Sequence, residues 1–390
     1  MKTPKYVLPI IVISQFCCTS LWFAGNGVMN SLVQVFNLQE NALGHLTSAV
    51  QFGFIAGTLL FALFTIADRF SPSKVFFISA ILGAIFNLGL IVENQTLFSL
   101  IIFRFFTGFF LAGIYPVGMK IATDYYDKGL GKTLGFLVGA LVIGTALPHL
   151  LKEVLVNYSW KSVLASTSIL ATTGGLLLVL FVKNGPYRKR SQKFDITVCI
   201  KVFKNIEFRK AAFGYFGHMW ELYTFWAFVP VLLNTYQKLH FDVNFNIPLL
   251  SFLIIAIGGL SCVIGGYISQ KFGIKKTAFS FLLMSCICCM ISPFIFLANE
   301  IIFISFLLFW GMVVIADSPL FSTLVAKNAP SKDKGTALTI VNCIGFSLTV
   351  ISILLINSIK TLTDSSYIFM ILAIGPIFGL ITLKSKKSFS

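Results

Sequence analysis

The chain has 390 residues, 57% hydrophobic and only 11% charged, with a formal net charge of +16. A soluble domain carries about 25% charged residues, so a fold bathed in water on all sides is excluded; the apolar runs recur at about 20 residues, the length a helix needs to cross about 30 Å of hydrocarbon. The basic excess does not point to nucleic acid: assigned to alternating loops, 25 of the 30 Lys/Arg fall on one side, Lys152, Lys161, Lys238 and Lys360 on the other, and Arg104 inside the membrane, an asymmetry that places both termini in the cytoplasm.

Lys2 and Lys5 precede an apolar run too long for a signal peptide and without a convincing cleavage site, so this run is expected to stay as the first span. Span 1 is predicted over 6–34, long for one crossing, with Trp22, Gly25, Asn26 and Gly27 in its later half. Span 2 covers 44–67, and a short basic loop, 67–74, leads to span 3 (74–93) and span 4 (96–122). Span 5 (131–151) is rich in glycine and ends near Pro148; span 6 covers 160–182.

A polar linker, 183–210, follows, with nine Lys/Arg against Asp195 and Glu207. Span 7 (211–235) holds His218, Trp220, Glu221 and Trp226. Spans 8 to 12 are predicted over 247–270, 277–297, 301–325, 335–358 and 366–383. The fold class is all-α: twelve transmembrane helices in two six-helix pseudo-repeats, 1–182 and 211–390, joined by the linker.

Seven of the eight cysteines lie inside predicted spans, the exception being Cys199, so no disulfide framework is expected. Cys286, Cys288 and Cys289 stand at i, i+2 and i+3 of one helix with no histidine nearby. They read as small apolar filler rather than a metal site.

The halves repeat. Asp68-Arg69-Phe70 with Lys74 matches Gln270-Lys271-Phe272 with Lys276 at a constant offset of 202 residues, Asp127-Lys128-Gly129 matches Asp333-Lys334-Gly335, and Pro116 matches Pro319. Similar halves in the same orientation are the pattern of transporters built from parallel repeats.

Three ionisable groups lie deep in predicted spans: Arg104, Glu221 and Asp317. Each sits about 12–16 Å in at 1.5 Å per residue, where a charge costs at least about 2.5–3.5 kcal/mol. Each therefore needs a partner, a cavity or a proton. One carboxylate can pair with Arg104, leaving the other to bind a proton or cation. For Glu221 the choice is between proton coupling and a static pair. His218, one turn earlier, either shares that proton or only bonds a neighbouring helix. Asp317 precedes Ser318-Pro319, and Pro319 must interrupt the helix, so Asp317 is either a cavity carboxylate or a cap for the kink. Tyr115, eleven residues after Arg104, falls on the same face of a continuous helix. Trp22, Asn26, Trp220 and Trp226 lie on the first span of each half, as cavity lining or as packing and interface anchors.

Several motifs resemble those of the major facilitator superfamily, and the resemblance covers essentially the whole chain. The 67–74 loop is similar to the family's G-x-L-a-D-r-x-G-r-k signature through Asp68, Arg69 and Lys74, with Phe64 and Ser71 replacing its glycines. In the second half Gly266, Lys271, Gly273 and Lys275 fit, while Gln270 replaces the acid. Span 4 resembles the R-x-x-q-G motif through Arg104 and Gly108, and span 5 only loosely echoes the antiporter motif. The resemblance implies two six-helix bundles around a central cavity lined by the first span of each half. It also implies coupling or solute binding at Arg104, and gating by Asp68, Arg69, Lys74 and Lys271.

The expected function is secondary active transport of a small polar or charged solute by alternating access, as proton-coupled import. The alternatives are a proton-coupled efflux antiporter and a non-transporting receptor of the same fold. A receptor would call for a large extramembrane domain, which these 390 residues do not contain. Walker-type loops, metal-binding His pairs and catalytic triads are absent from the sequence, so no enzyme activity, cofactor or metal is expected; a proton or other ion gradient is the driving force. The expected partners are the solute and the lipid bilayer of a bacterial inner or plasma membrane, with a monomer sufficient for function.

Overall fold

The computed structural model describes residues 4–39, 41–126, 130–188, 198–330, 333–363 and 365–384. The Asp127-Lys128-Gly129 half of one repeat match, and linker residues 189–197 including Asp195, lie outside them. The chain divides into two units, Met1–Phe194 and Asp195–Ser390. Among the described residues, ten helices are long and apolar enough to cross a membrane. Two predicted spans do not reach that measure, and each is the first of its half. Span 1 is cut into Val7–Thr19, Ala24–Gly27 and Met29–Val35. Span 7 is one 34-residue helix, Ile206–Leu239, carrying Glu207, Arg209, Lys210, His218 and Glu221. Glu207, Arg209 and Lys210 belong to the linker end of that helix, before the predicted span, whereas His218 and Glu221 are buried within it; polar residues are tolerated at membrane depth where they face protein or water rather than lipid.

In the first unit, span 2 (Ala42–Leu63) packs against the first part of span 4 (Leu97–Leu111), and span 1 against span 5 (Leu130–Val154) and span 6 (Lys161–Phe181). The span 2–span 4 contact is a backbone approach: a Cβ on Gly108 would stand 2.0 Å from the Val50 carbonyl oxygen. The second unit repeats it. Span 8 (Ile247–Phe272) meets the first part of span 10 (Glu300–Ala316), and a Cβ on Gly311 would stand 2.0 Å from the Ile254 carbonyl oxygen. Small residues permit such contacts, which gain dispersion energy where lipid offers no hydrophobic drive.

Helix starts follow from sequence. Asn205, Asn246 and Asn299 accept from the first free N–H groups of spans 7, 8 and 10, and Thr96 with Ser99 forms a capping box before span 4, each satisfying donors that a helix end leaves orphaned. Three expectations about helix continuity change. Span 1 is broken at 20–23, and span 4 is broken before Tyr115–Tyr125, whose second residue is Pro116. Span 5 does not end at Pro148 but runs through it to Val154. The span 10 interruption falls where Pro319 requires it, between Glu300–Ala316 and Ser318–Asn328. Large apolar side chains such as Ile85, Phe98, Ile169 and Leu260 are exposed on the outer helix faces; lipid rather than water covers such a surface.

Candidate functional site: buried polar centres in each unit

The first centre forms at the break in span 1. The N–H groups of Leu21 and Trp22 reach back to the Cys18 and Thr19 carbonyls in tight turns. Arg104, 1% exposed, donates from Nη1 to the Leu21 carbonyl at 3.2 Å and from Nη2 to the Trp22 carbonyl at 2.5 Å. Leu21 and Trp22 lie in the break just after the helix Val7–Thr19, and the guanidinium gives their carbonyls charge-assisted donors, capping the interruption. Both terminal nitrogens of Arg104 thus go to main chain, its Nε has no hydrogen-bond partner among the described residues, and no carboxylate of its own unit pairs with it there.

Trp22 donates to Gln51 Oε1 at 3.3 Å and packs its ring on Phe54, and Asn26 donates to Thr47 Oγ1 at 2.8 Å. Trp22, Asn26 and Arg104 therefore converge where spans 1, 2 and 4 meet. Tyr115 does not follow Arg104 along one helix face, because residues 112–114 interrupt the helix and reset its phase; it is half-buried at the start of the next segment.

The second centre lies at the break in span 10. Asp317 ends one helix, and its carbonyl accepts from the N–H groups of Leu320 and Phe321 at 3.0 and 2.9 Å to start the next. Its carboxylate Oδ1 is 2.8 Å from His218 Nδ1, and both side chains are 1% exposed. Tyr215 and Phe321 flank the imidazole. His218 Nε2 and Asp317 Oδ2 are buried with no hydrogen-bond partner among the described residues. Of the two readings open for His218, sharing a proton with Glu221 or bonding a neighbouring helix, the contact with Asp317 of span 10 matches the second.

Glu221 has its own partners, Ser285 Oγ and Trp310 Nε1, the latter at 2.6 Å, both donating to Oε1. The Trp310 ring packs on Phe225, tilted at 33°, with centroids 4.5 Å apart. Trp220 donates to the Ile371 carbonyl at 3.2 Å, tying span 7 to the last helix, and Trp226 is buried beside Tyr223.

On the basic side, Asp68 Oδ1 is 2.7 Å from Lys120 Nζ at the end of span 4. Thr65, at φ 48, makes the turn into this loop in a left-handed conformation; in the second half Gly273, at φ 88, provides the turn. Arg69 and Lys74 are exposed and form no ion pair among the described residues. Lys271 is exposed with its ammonium 5.5 Å from the Phe272 ring centroid. Lys275, not Lys271, makes the ion pair of the second loop, to Glu207 at 3.0 Å.

Sequence reasoning missed Thr47, Gln51, Lys120, Ser285 and Trp310. Gln51 and Thr47 carried the signal that singled out Asn26, a polar side chain within a span. Trp310 lies seven residues before Asp317, two turns away on one face, and Lys120 was counted only as a loop charge.

Comparison with known proteins places this geometry. A family model described as Major Facilitator Superfamily matches residues 11–353. No curated protein sequence matches the chain. Among solved structures, a D-xylose–proton symporter is similar at TM-score 0.76 and 16% identity, covering 97% of each chain. The nucleoside transporter NupG is similar at TM-score 0.73 and 14% identity, covering 97% of this chain and 98% of that one. A bacterial homologue of the human lysosomal transporter Spinster, in an inward-facing and unoccupied conformation, is similar at TM-score 0.71 and 13% identity, covering 97% and 95%. Identities this low speak to the fold alone, but the family model spans most of the chain, and with the multi-pass helical architecture and the repeated halves the conclusion is that this protein belongs to the major facilitator superfamily.

Proposed function

We propose that the protein is a proton-coupled importer of a small polar solute, working as a secondary active transporter whose two units alternate in opening a solute path to either side of a bacterial inner or plasma membrane, with both termini in the cytoplasm. It needs no cofactor, performs no covalent chemistry and works as a monomer. The observation that carries the coupling assignment is the buried His218–Asp317 pair, 2.8 Å apart at the interruption of span 10. A histidine and a carboxylate in contact can share one proton between them. Such a pair at a helix break ties proton occupancy to a backbone that already has a hinge. Glu221, held by two neutral donors, is the second carboxylate available to the cycle.

The solute class rests on chemistry and likeness together. The donors of Trp22, Asn26 and Arg104 are paired in this conformation with Gln51, Thr47 and main-chain carbonyls, and exchange of those partners for solute oxygens suits hydroxyl- or carbonyl-rich molecules; the structural neighbours include a D-xylose–proton symporter and a nucleoside transporter. The test is solute-dependent proton movement in proteoliposomes holding a pH-sensitive dye, with pentoses, hexoses, nucleosides, organic acids and amines added outside. Acidification of the interior on adding one solute is the expected result. Proton movement in the opposite direction would make the protein an antiporter, and solute uptake without proton movement would remove proton coupling.

A further inference from the structure

The linker, expected as a basic tether, is hydrogen-bonded into the fold at both described ends. At its first end the Val182 carbonyl accepts from Ser73 Oγ at 2.6 Å, the Lys183 carbonyl from Tyr125 Oη at 2.9 Å, and Asn184 Oδ1 from Ser71 Oγ at 2.9 Å. The Tyr187 N–H donates to the Asp124 carbonyl at 3.0 Å. Arg188 Nη2 donates to the main-chain carbonyls of Asp68 at 3.0 Å and Phe70 at 2.8 Å. Gly185 lies so close that a Cβ there would be 2.2 Å from the Asp124 carbonyl oxygen. These contacts gather two elements of the first unit, the 67–74 loop and the end of span 4.

The second end has the same two targets in the second unit. Asn205 Nδ2 donates to the carbonyl of Asn328, the last residue of span 10, at 3.2 Å, while Asn205 Oδ1 caps span 7. Glu207 takes Lys275 of the 271–276 loop at 3.0 Å and Lys210 at 2.8 Å. That loop has Gln270 where the first-half loop has Asp68, so its acid is supplied from the linker side instead.

We propose that the linker is a two-ended clamp: Arg188 and Gly185 hold the 67–74 loop against the end of span 4, and Asn205 and Glu207 hold the 271–276 loop and the end of span 10. Arg188 and Glu207 are positioning residues for these loops. The clamp stands on the contacts themselves; only its consequence, that the loops yield when the linker ends release, rests on the gating role given to Asp68. The two ends differ in kind. Arg188 binds main-chain carbonyls in a partly enclosed turn, whereas Glu207 and Lys275 form an exposed ion pair that salt screens.

Hydrogen–deuterium exchange of the full-length protein in lipid nanodiscs separates the ends. Arg188→Ala and, independently, Gly185→Val are expected to speed exchange of amides 68–75 by about tenfold while leaving 273–277 unchanged. Glu207→Gln is expected to speed 273–277 by about twofold and leave 68–75 unchanged. High salt reproduces the Glu207→Gln effect only, and the double exchange Glu207→Lys with Lys275→Glu restores protection. Unchanged exchange at a variant's own loop, or equal acceleration at both loops, overturns the clamp. Segregated exchange with unaltered solute turnover in Arg188→Ala would leave the clamp standing and count against the gating role.

Discussion

Arg104 illustrates what a single buried charge does in this fold. Its two terminal nitrogens are committed to the carbonyls of Leu21 and Trp22, so its first duty is to hold the broken part of span 1 against span 4. Losing the donor to a buried carbonyl costs about 1–3 kcal/mol. Arg104→Ala should therefore lower the thermal unfolding midpoint in detergent by several degrees, and Arg104→Lys should recover part of the loss, because an ammonium reaches one carbonyl but lacks the fork. An unfolding midpoint unchanged in Arg104→Ala would contradict the capping role.

Glu207 gives a second test at the same scale. Hydrogen bonds from Lys210, then from Lys275, hold its carboxyl below the usual carboxylate range. A lowered folded-state pKa stabilises fully above the ordinary Glu value of about 4.3, and that contribution fades as pH falls through the lowered value. Glu207→Gln should thus be less stable than wild type at pH 7, by about 0.2–1 kcal/mol for so exposed a pair, and indistinguishable from it once the wild-type carboxyl is protonated. A gap that widens on acidification would contradict this. Which residues were ionisable and deep was legible in the sequence. Their partners were not, because pairing depends on where helices break: Arg104 takes main-chain carbonyls at the span 1 break, and His218 takes Asp317 at the span 10 break.

Helix interruptions and close glycine contacts decide the elements. Pro319 and Pro116 lack an N–H and exclude the preceding turn from a regular helix; that residue type predicts the break at Pro319, while span 4 is expected to be continuous through Pro116 although the same rule applies there. The break at 20–23 could not be read this way, since no proline stands there; Gly25, packed against the Arg104 side chain, and the guanidinium on the Leu21 and Trp22 carbonyls accompany it. The same proline rule misleads at Pro148, where the helix continues to Val154. The equivalent glycines of spans 4 and 10 make a prediction in both halves. A methyl at Gly108 or Gly311 meets a backbone oxygen that cannot swing aside, so Gly108→Ala and Gly311→Ala should each destabilise by about 1–3 kcal/mol. Thermal unfolding in detergent reads this, and a neutral effect at both sites would mean that the helices part without cost.

The whole molecule repeats one plan. Each unit has a polar first helix, a backbone-close contact between its second and fourth spans, an interruption of the fourth span near a proline, and a loop on the basic side secured by an ion pair. The twelve spans and the repeat were legible because apolar length and side-to-side charge bias are properties of composition. Asp68 of the first loop was legible from its motif, but the pair that secures the second loop was not, because Gln270 replaces the acid there and Glu207 supplies it from the linker side, to Lys275 rather than Lys271.

The most direct test of proton coupling at His218–Asp317 compares two transport modes in proteoliposomes, using the solute that moves protons in the panel. Asp317→Asn should abolish accumulation driven by an imposed pH gradient while preserving exchange of labelled for unlabelled solute across the membrane, since exchange needs no net proton transfer. Accumulation that survives at the wild-type level in Asp317→Asn would place the coupling proton elsewhere in the chain.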